Sequence, residues 1–394
     1  SQLKGSALKV AQMMSMDRSM LPKAYKDRFQ MAQYSAPPLS APLVIKTFQK
    51  YFGKTPSQIF DSFDLEAVNA ASIGQVHAAY KDGKKLAVKV QYPGVAASIA
   101  ADLRMVKPFA VSLLGLNEAD VDNYTKEVEE RLLEETNYVL ELQRSIEISQ
   151  ACSHIDHLIF PTYYPELSCE RILTMDWMPG MHLREFIATN PTQEVRNKIG
   201  QAMWNFYDFQ MHNLRKIHAD PHPGNFLIQE DGRLGIIDFG CIKEIPKQFY
   251  DPYFKMVNPH ILNDPILREK AFFELEILKE NDTPQEKAFF TEIFTQMSEM
   301  LTRPFQHESF DFGDDAYFDE IFDFGEKISK MKEIRETKVA RASRHTLYVN
   351  RTYFGLYSIL NELKANINIS KPTWLLTPPS PTPALPEGEG VVLR

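Results

Sequence analysis

Apolar residues recur at helical spacing at the start of the chain, where Leu3, Ala7, Val10, Ala11 and Met14 share one face. Residues 1–55 read as helices broken by "SAPPLSAP". From residue 60 to about 92 the pattern changes. The short β-rich runs "IGQVHAAY" and "KLAVKVQY" flank the turn "KDGK" and predict a hairpin. A helical stretch follows at roughly 120–150. Val128, Leu132, Val139, Leu142 and Ile146 form its apolar stripe at 3–4 spacing, and Glu135 falls inside that stripe. "RILTMDWM" then reads as a buried strand, ended by Pro179-Gly180. The rest is mostly helical, interrupted by the loop "HADPHPGNFLI" and the strand "RLGIIDFG". Residues 372–386 contain six prolines, which cannot continue a helix, so that tail is expected to be disordered.

These patterns divide the chain into a helical extension (1–55), a β-rich unit (56–178), a helical unit (179–370) and a proline-rich tail (371–394). A β-rich front and a helical back joined by one strand predict an α+β, bilobal architecture with a cleft between the lobes. The length of 394 residues, 44% hydrophobic, supports an ample core, and the net charge of -8 gives no broad basic footprint for nucleic acid. Cys152, Cys169 and Cys241 lack metal spacing and read as reduced thiols in a cytosol-like compartment. No apolar run approaches the roughly 18 residues of a membrane span, so the expectation is a cytoplasmic protein, soluble or peripheral to a membrane. The sequence opens within a helical pattern, which reads as a cut N-terminus.

The chemistry begins with "HADPHPGN". Asp220 and Asn225 are spaced D-x-x-x-x-N, and twelve residues separate Asn225 from Asp238 of "DFG". Kinase catalytic loops have this spacing: an Asp that positions or deprotonates the nucleophile, an Asn on magnesium, and a metal-binding DFG Asp. Hard oxygen ligands suit the Mg²⁺ that bridges ATP phosphates. Asp238 follows an apolar run, Leu234, Ile236 and Ile237, that would set it at a strand end. Two further DFG triplets start at Asp311 and Asp323, in an acidic, Phe-studded region without a D-x4-N at short range. Both read as decoys, and Phe310, Phe318, Phe322 and Phe324 there are expected to cover a helical surface.

Upstream, "NAASIGQVHAAYKDGKKLAVK" occupies the place of a phosphate-covering loop followed by an A-x-K lysine. Its register gives Asn69, Ala71, Gly74 and Val76, then Lys89 as the cation for the phosphates. A buried lysine needs a carboxylate, and a carboxylate on a buried helix face needs a partner. Lys89–Glu135 is therefore the inferred ion pair. In the first helix Lys9 and Gln12 share a second face beside Met13 and Met16. That face suits burial against something polar, or equally a lysine that snorkels to solvent.

Together these residues resemble the UbiB/AarF-type atypical kinase family, protein-kinase-like proteins tied to ubiquinone biosynthesis. The resemblance runs from about Lys4 to about Ile369. "AASIGQVH" resembles the family's alanine-rich nucleotide loop, which implies nucleotide contacts at Ala70, Ala71, Ser72, Gly74 and Val76. "LKVAQMMS" resembles its K-x-G-Q helix, which implies that Lys9 and Gln12 point into the cleft. "LEETNY" with Glu141 resembles its E-x-D-Y-x-x-E segment, matching Glu135 to the lysine partner and Glu141 to a second acidic site residue. Ala11, Asn69 and Asn137 depart from the family pattern.

The expectation is a bilobal protein-kinase-like fold with a helical N-terminal extension. Lys89 and Asp220 would serve catalysis, with Glu135 and Lys9. Asn225 and Asp238 would bind Mg²⁺, and Asp176 to Met178 would form the adenine hinge, with Met175 behind the base. His218-Ala219-Asp220 replaces His-Arg-Asp and no A-P-E follows Asp238, so a peptide-docking segment is not expected. An ATP-dependent phosphotransferase or ATPase acting on a small or lipid-like partner follows, and the resemblance implies a quinone precursor at a membrane surface. The second reading is a nucleotide-binding regulator or lipid-handling scaffold without turnover. A homodimer is compatible with either.

Overall fold

Asp82 and Gly83 both adopt positive φ, 49° and 76°. A two-residue type I′ turn requires that conformation at both positions, and its twist matches the strands it joins. The hairpin predicted around it forms, with β3 (Gly74–Lys81) antiparallel to β4 (Lys84–Gln91). In the computed structural model, residues 39–70, 73–97, 99, 101, 103, 104, 129, 133–331 and 341–369 are described. β1 (Ser62–Phe63) and β2 (Asn69–Ala70) pair with β3, and β6 (Ile172–Asp176) pairs with β4. The family departure at Asn69 is thus an exposed position in a strand ladder.

Cross-strand register sorts this sheet into two faces. Ala79, Leu86, Val88, Val90 and Ile172 form a core with Val44 and Phe48 of α1 (Ala41–Phe52). α1 ends where Gly53 turns left-handed, φ 67°, and returns its N–H to Gln49 O. Val76, Lys89 and Leu173 are neighbours on the opposite face, as are Ala78, Ala87 and Met175.

The helix expected over 120–150 is interrupted where it is described. The turn before the break closes with Thr136 N–H to Leu133 O and Asn137 N–H to Glu134 O. Asn137 then caps α2 (Tyr138–Ala151), its side chain accepting from Leu140 N–H at 3.1 Å. The break resets the helical register. Tyr138, Glu141, Leu142, Ser145 and Ile148 face inward, while Val139 is 38% exposed. The stripe that placed Val139 and Glu135 on one buried face is thereby corrected; Val128 and Leu132 lie outside the described residues.

In the helical lobe, α3 (Gln193–Phe209) is capped by Thr192 and runs into a π-turn, Gln210–Leu214, stopped by Arg215 at φ 50°. Small ladders follow. β7 (Lys216–His218) pairs with β10 (Ile242–Glu244). β8 (Phe226–Ile228) pairs with β9 (Leu234–Ile236), which also runs parallel to β5 (Leu158–Ile159). α4 (Pro284–Thr302), α5 (Asp315–Lys330) and α6 (Arg344–Glu362) complete the lobe with β11 (Ser309–Asp311) paired to β12 (Asn366–Asn368).

The two later DFG triplets separate by context. Asp311 is exposed at the end of β11, and Asp323 lies within α5. Of the nearby phenylalanines, Phe318 is buried, but Phe322 is 68% exposed and covers nothing in this chain's described core, contrary to the expectation. The first 38 residues and the proline-rich tail lie outside the described residues. Among the described residues, no helix is long and apolar enough to cross a membrane.

Asn137→Ala should cost about 1 kcal/mol in urea unfolding through loss of the α2 cap, whereas Asn137→Asp should stay within about 0.5 kcal/mol, because both residues cap well.

Candidate active site

Lys89 stands in the middle of β4 on the face away from α1. Its side chain is 8% exposed, with Nζ 2.6 Å from Glu141 Oε1 and 2.9 Å from Asp238 Oδ2. The Tyr138 ring lies beneath it, 5.6 Å from Nζ to the centroid. The predicted Lys89–Glu135 pair is therefore corrected to Lys89–Glu141. The cause is the break at Asn137: Glu141, in the first turn of α2, takes the inward direction that an unbroken helix would have given Glu135. Glu135 sits half-buried in the preceding turn, near enough for its charge to act on Glu141.

Three titratable groups meet here, Lys89 and Glu141 buried and Asp238 half-buried. Burial pushes the Glu141 carboxyl up to about 7, with Asp238 adding to the rise and Lys89 opposing it. Burial also works to raise Asp238, but Lys89 and the Gly240 N–H prevail and hold it at about 2. Burial disfavours the Lys89 charge, yet Asp238 and Glu141 outweigh it and hold the ammonium well above its ordinary range. Lys89 and Asp238 are thus ionised at neutral pH.

The two remaining acidic and amide groups arrive by topology. The loop holding Asp220 and Asn225 joins β7 to β8, and the segment holding Asp238 joins β9 to β10. Since β7 pairs with β10 and β8 with β9, the two connections lie side by side. Hydrogen bonds stitch them together. His218, fully buried, makes a 2.8 Å contact from Nε2 to Asp238 O. Ala219 N–H donates to Cys241 O and Ile237 N–H to Asn225 O. Within the loop, Asn225 Nδ2 donates to Asp220 O at 3.0 Å and His222 N–H to the same oxygen at 2.7 Å.

These residues fit a magnesium ion. The Asn225 amide nitrogen is committed to Asp220 O, which leaves Oδ1 as its acceptor face. Asp238 is ionised, its side chain 35% exposed, and Oδ1 accepts from Gly240 N–H at 2.9 Å. One carboxylate and one amide oxygen match the few protein ligands Mg²⁺ takes when phosphates and water complete its shell. Among the described residues no cluster of three or more His, Cys, Asp or Glu could hold a metal by itself.

The hinge candidates occupy the end of β6. Asp176 N–H donates to Thr162 O and Trp177 N–H to Lys85 O, while the Asp176 carboxylate accepts from Tyr164 OH at 2.6 Å. Met178 packs on Gly235 of β9, where an added Cβ would lie 2.1 Å from Met178 Sδ. Glycine in "GIIDFG" thus lets Met178 close on the strand leading to Asp238. Met175 neighbours Ala87 on the Lys89 face. Val76 is half-buried on that face, directly opposite Lys89. Gly74 is buried inside β3, where a Cβ would come within 2.4 Å of Val90 O, so close strand approach is reason enough for this glycine. Ala70 pairs with Gln75 through its backbone. Ala71, Ser72, Lys9 and Gln12 lie outside the described residues.

Sequence reasoning missed three residues that serve this site. Gln210, in the π-turn, accepts from His218 N–H at 2.9 Å through Oε1 and so anchors the start of the loop. Arg351 of α6 lies 3.6 Å from Asp220 Oδ1. Gly355, one turn further, receives the Pro221 ring. A π-turn leaves no clear sequence signal, and residues far downstream of a loop carry no local one.

The chain is similar to known proteins over most of its length. The ABC1 atypical kinase-like domain matches residues 31–266. A probable serine/threonine-protein kinase, abkA of Dictyostelium discoideum, is 24% identical over 93% of this chain and 67% of its own. The mitochondrial atypical kinase COQ8B of Danio rerio is 25% identical over 93% of this chain and 58% of its own. Rv3197 of Mycobacterium tuberculosis, solved in complex with erythromycin, aligns with TM-score 0.63 and 27% identity over 93% of this chain and 90% of that one. The chain spans from 32% to 67% of the length of curated relatives it matches. Its fold is kinase-like and α+β. With more than half its residues matched, including Lys89, Asp220, Asn225 and Asp238, the chain belongs to the ABC1 atypical kinase-like family, the UbiB/AarF-type group that its motifs resemble.

Proposed function

We propose that this chain is a Mg-ATP-dependent phosphotransferase or ATPase acting on a small or lipid-like partner in isoprenoid-quinone biosynthesis. The observation that carries the reading is Lys89 held between Glu141 and Asp238, with the Asp220–Asn225 loop stitched to the same Asp238 segment. Bound Mg-ATP would supply the transferable phosphoryl group and the divalent charge that neutralises it. Lys89 would offer its ammonium to the phosphates, and Glu141 would keep it aimed across the cleft. Asn225 and Asp238 would hold the metal. Asp220 would position the attacking hydroxyl or water or accept its proton. The Asp176–Met178 segment would meet the adenine edge.

Two observations support a non-peptide acceptor. Only residues 241–246 separate Gly240 from the helix at Lys247–Lys255, and Ile242–Glu244 of these are spent in β10. That leaves no extended segment against which a peptide could dock. A structurally similar protein was solved with a small molecule, erythromycin. The quinone link comes from the UbiB/AarF resemblance, and a quinone precursor would bring the chain to a membrane surface as a peripheral protein.

Phosphate release from Mg-ATP, with and without anionic liposomes, tests the reading. Wild-type protein should release phosphate, and Asp238→Ala should slow it at least about a hundredfold, the scale on which a transition-state charge partner is lost. Mg-dependent nucleotide binding without release would favour a regulator, and absence of binding would sink the nucleotide reading.

Replacing the lysine tests the ion pair. Lys89→Met leaves two carboxylates facing each other and should destabilise the protein by about 3–5 kcal/mol. Adding Glu141→Gln should recover much of that loss in urea unfolding. Recovery by Glu135→Gln of equal size would return the lysine partner to Glu135.

A further inference from the structure

α6 lies beyond residues 31–266, the stretch matched by the family, yet one of its faces runs along the catalytic machinery. Three positions at helical spacing, 348, 351 and 355, make the contact. The Tyr348 ring lies 5.6 Å from Lys243 Nζ on β10. Arg351 Nη2 lies 3.6 Å from Asp220 Oδ1, with the arginine side chain 16% exposed. At Gly355 a Cβ would stand 2.3 Å from Pro221 Cγ, so the helix backbone approaches the residue after Asp220 as closely as only glycine allows.

The loop lacks a cation where ordinary kinases place the arginine of His-Arg-Asp. Ala219 occupies that position, 2% exposed, with its N–H bonded to Cys241 O. A long charged side chain there would have to displace the ladder between β7 and β10. Among the described residues, Arg351 of α6 brings a positive charge to Asp220.

We propose that Arg351 is a positioning residue for Asp220, and that the Gly355 notch exists to bring α6 close enough for it to act. At 3.6 Å the contact is a charge contact longer than a hydrogen bond. It therefore acts on the carboxylate's orientation through charge. Gly355 fixes the height of the helix over Pro221, and Tyr348 against Lys243 fixes its rotation. The catalytic loop is braced from one side by β10 and from the other by α6. This deepens the phosphotransferase reading and rests on it.

The test uses the full chain, with phosphate release measured over a range of Mg-ATP and Mg-ADP affinity measured by calorimetry. Arg351→Met should lower kcat about tenfold or more, since small displacements of a reacting group cost rate steeply. KM and Mg-ADP affinity should change less than about threefold, because the nucleotide contacts lie elsewhere. Arg351→Lys should restore part of kcat. Asp220→Asn with Arg351→Met should be no slower than Asp220→Asn alone, as expected of residues acting as one unit. Gly355→Ala should lower kcat with unchanged Mg-ADP affinity, and it decides the matter if Arg351→Met no longer binds nucleotide. Wild-type kcat in Arg351→Met, or in Gly355→Ala when that variant decides, overturns the proposal. So does an equal further loss in the Asp220→Asn background. Turnover that Asp238→Ala abolishes and Arg351→Met leaves unchanged removes this proposal alone. Absence of turnover in the wild-type chain removes it together with the enzyme reading.

Discussion

Lys89 is the point at which three separate parts of the chain meet. It comes from the middle of the five-stranded sheet, Glu141 from the first turn of α2, and Asp238 from the turn between β9 and β10. One ammonium faces two carboxylates, Glu141 buried and Asp238 35% exposed, so full ionisation of all three would leave an excess negative charge. Burial of that excess is costly, and it appears as the raised carboxyl of Glu141. The core is large, and Trp204, Phe206, Phe239, Phe254, Phe272 and Phe312 are all nearly inaccessible within it.

The second constraint is topological. Asp220, Asn225 and Asp238 need no long-range coincidence to be neighbours. Two short antiparallel ladders, β7 with β10 and β8 with β9, oblige the connections between them to lie together. His218 and Ile237 then lock one connection to the other through backbone oxygens. The spacing of twelve residues between Asn225 and Asp238 is what β8, its turn and β9 require. A motif spacing read from sequence is in this sense a measurement of a small sheet.

What was legible in the sequence follows the range of the interactions involved. The "KDGK" hairpin was readable because its turn chemistry is local. The first DFG was separable from the other two because an apolar strand precedes it, whereas Asp323 falls within an amphipathic helix. The partner of Lys89 was misassigned because helical periodicity was carried across Thr136-Asn137. Asn is unremarkable inside a helix pattern, and only its cap to Leu140 N–H shows that one helix has ended and another begun. Gln210, Arg351 and Gly355 were invisible because their contacts depend on a π-turn and on the packing of a distant helix, neither of which leaves a period in the sequence.

The same cap explains why a departure from the family pattern leaves the site intact. The third residue of the E-x-D motif is Asn137 here. Its structural task is to offer a side-chain oxygen to Leu140 N–H, and Asn and Asp do this comparably. An aspartate at this exposed cap would add a negative charge two residues from Glu135 in the chain. Asparagine starts α2 in the register that aims Glu141 at Lys89 without adding that charge. The departure therefore preserves the geometry, and it is the geometry of α2's first turn that holds Glu141 against Lys89.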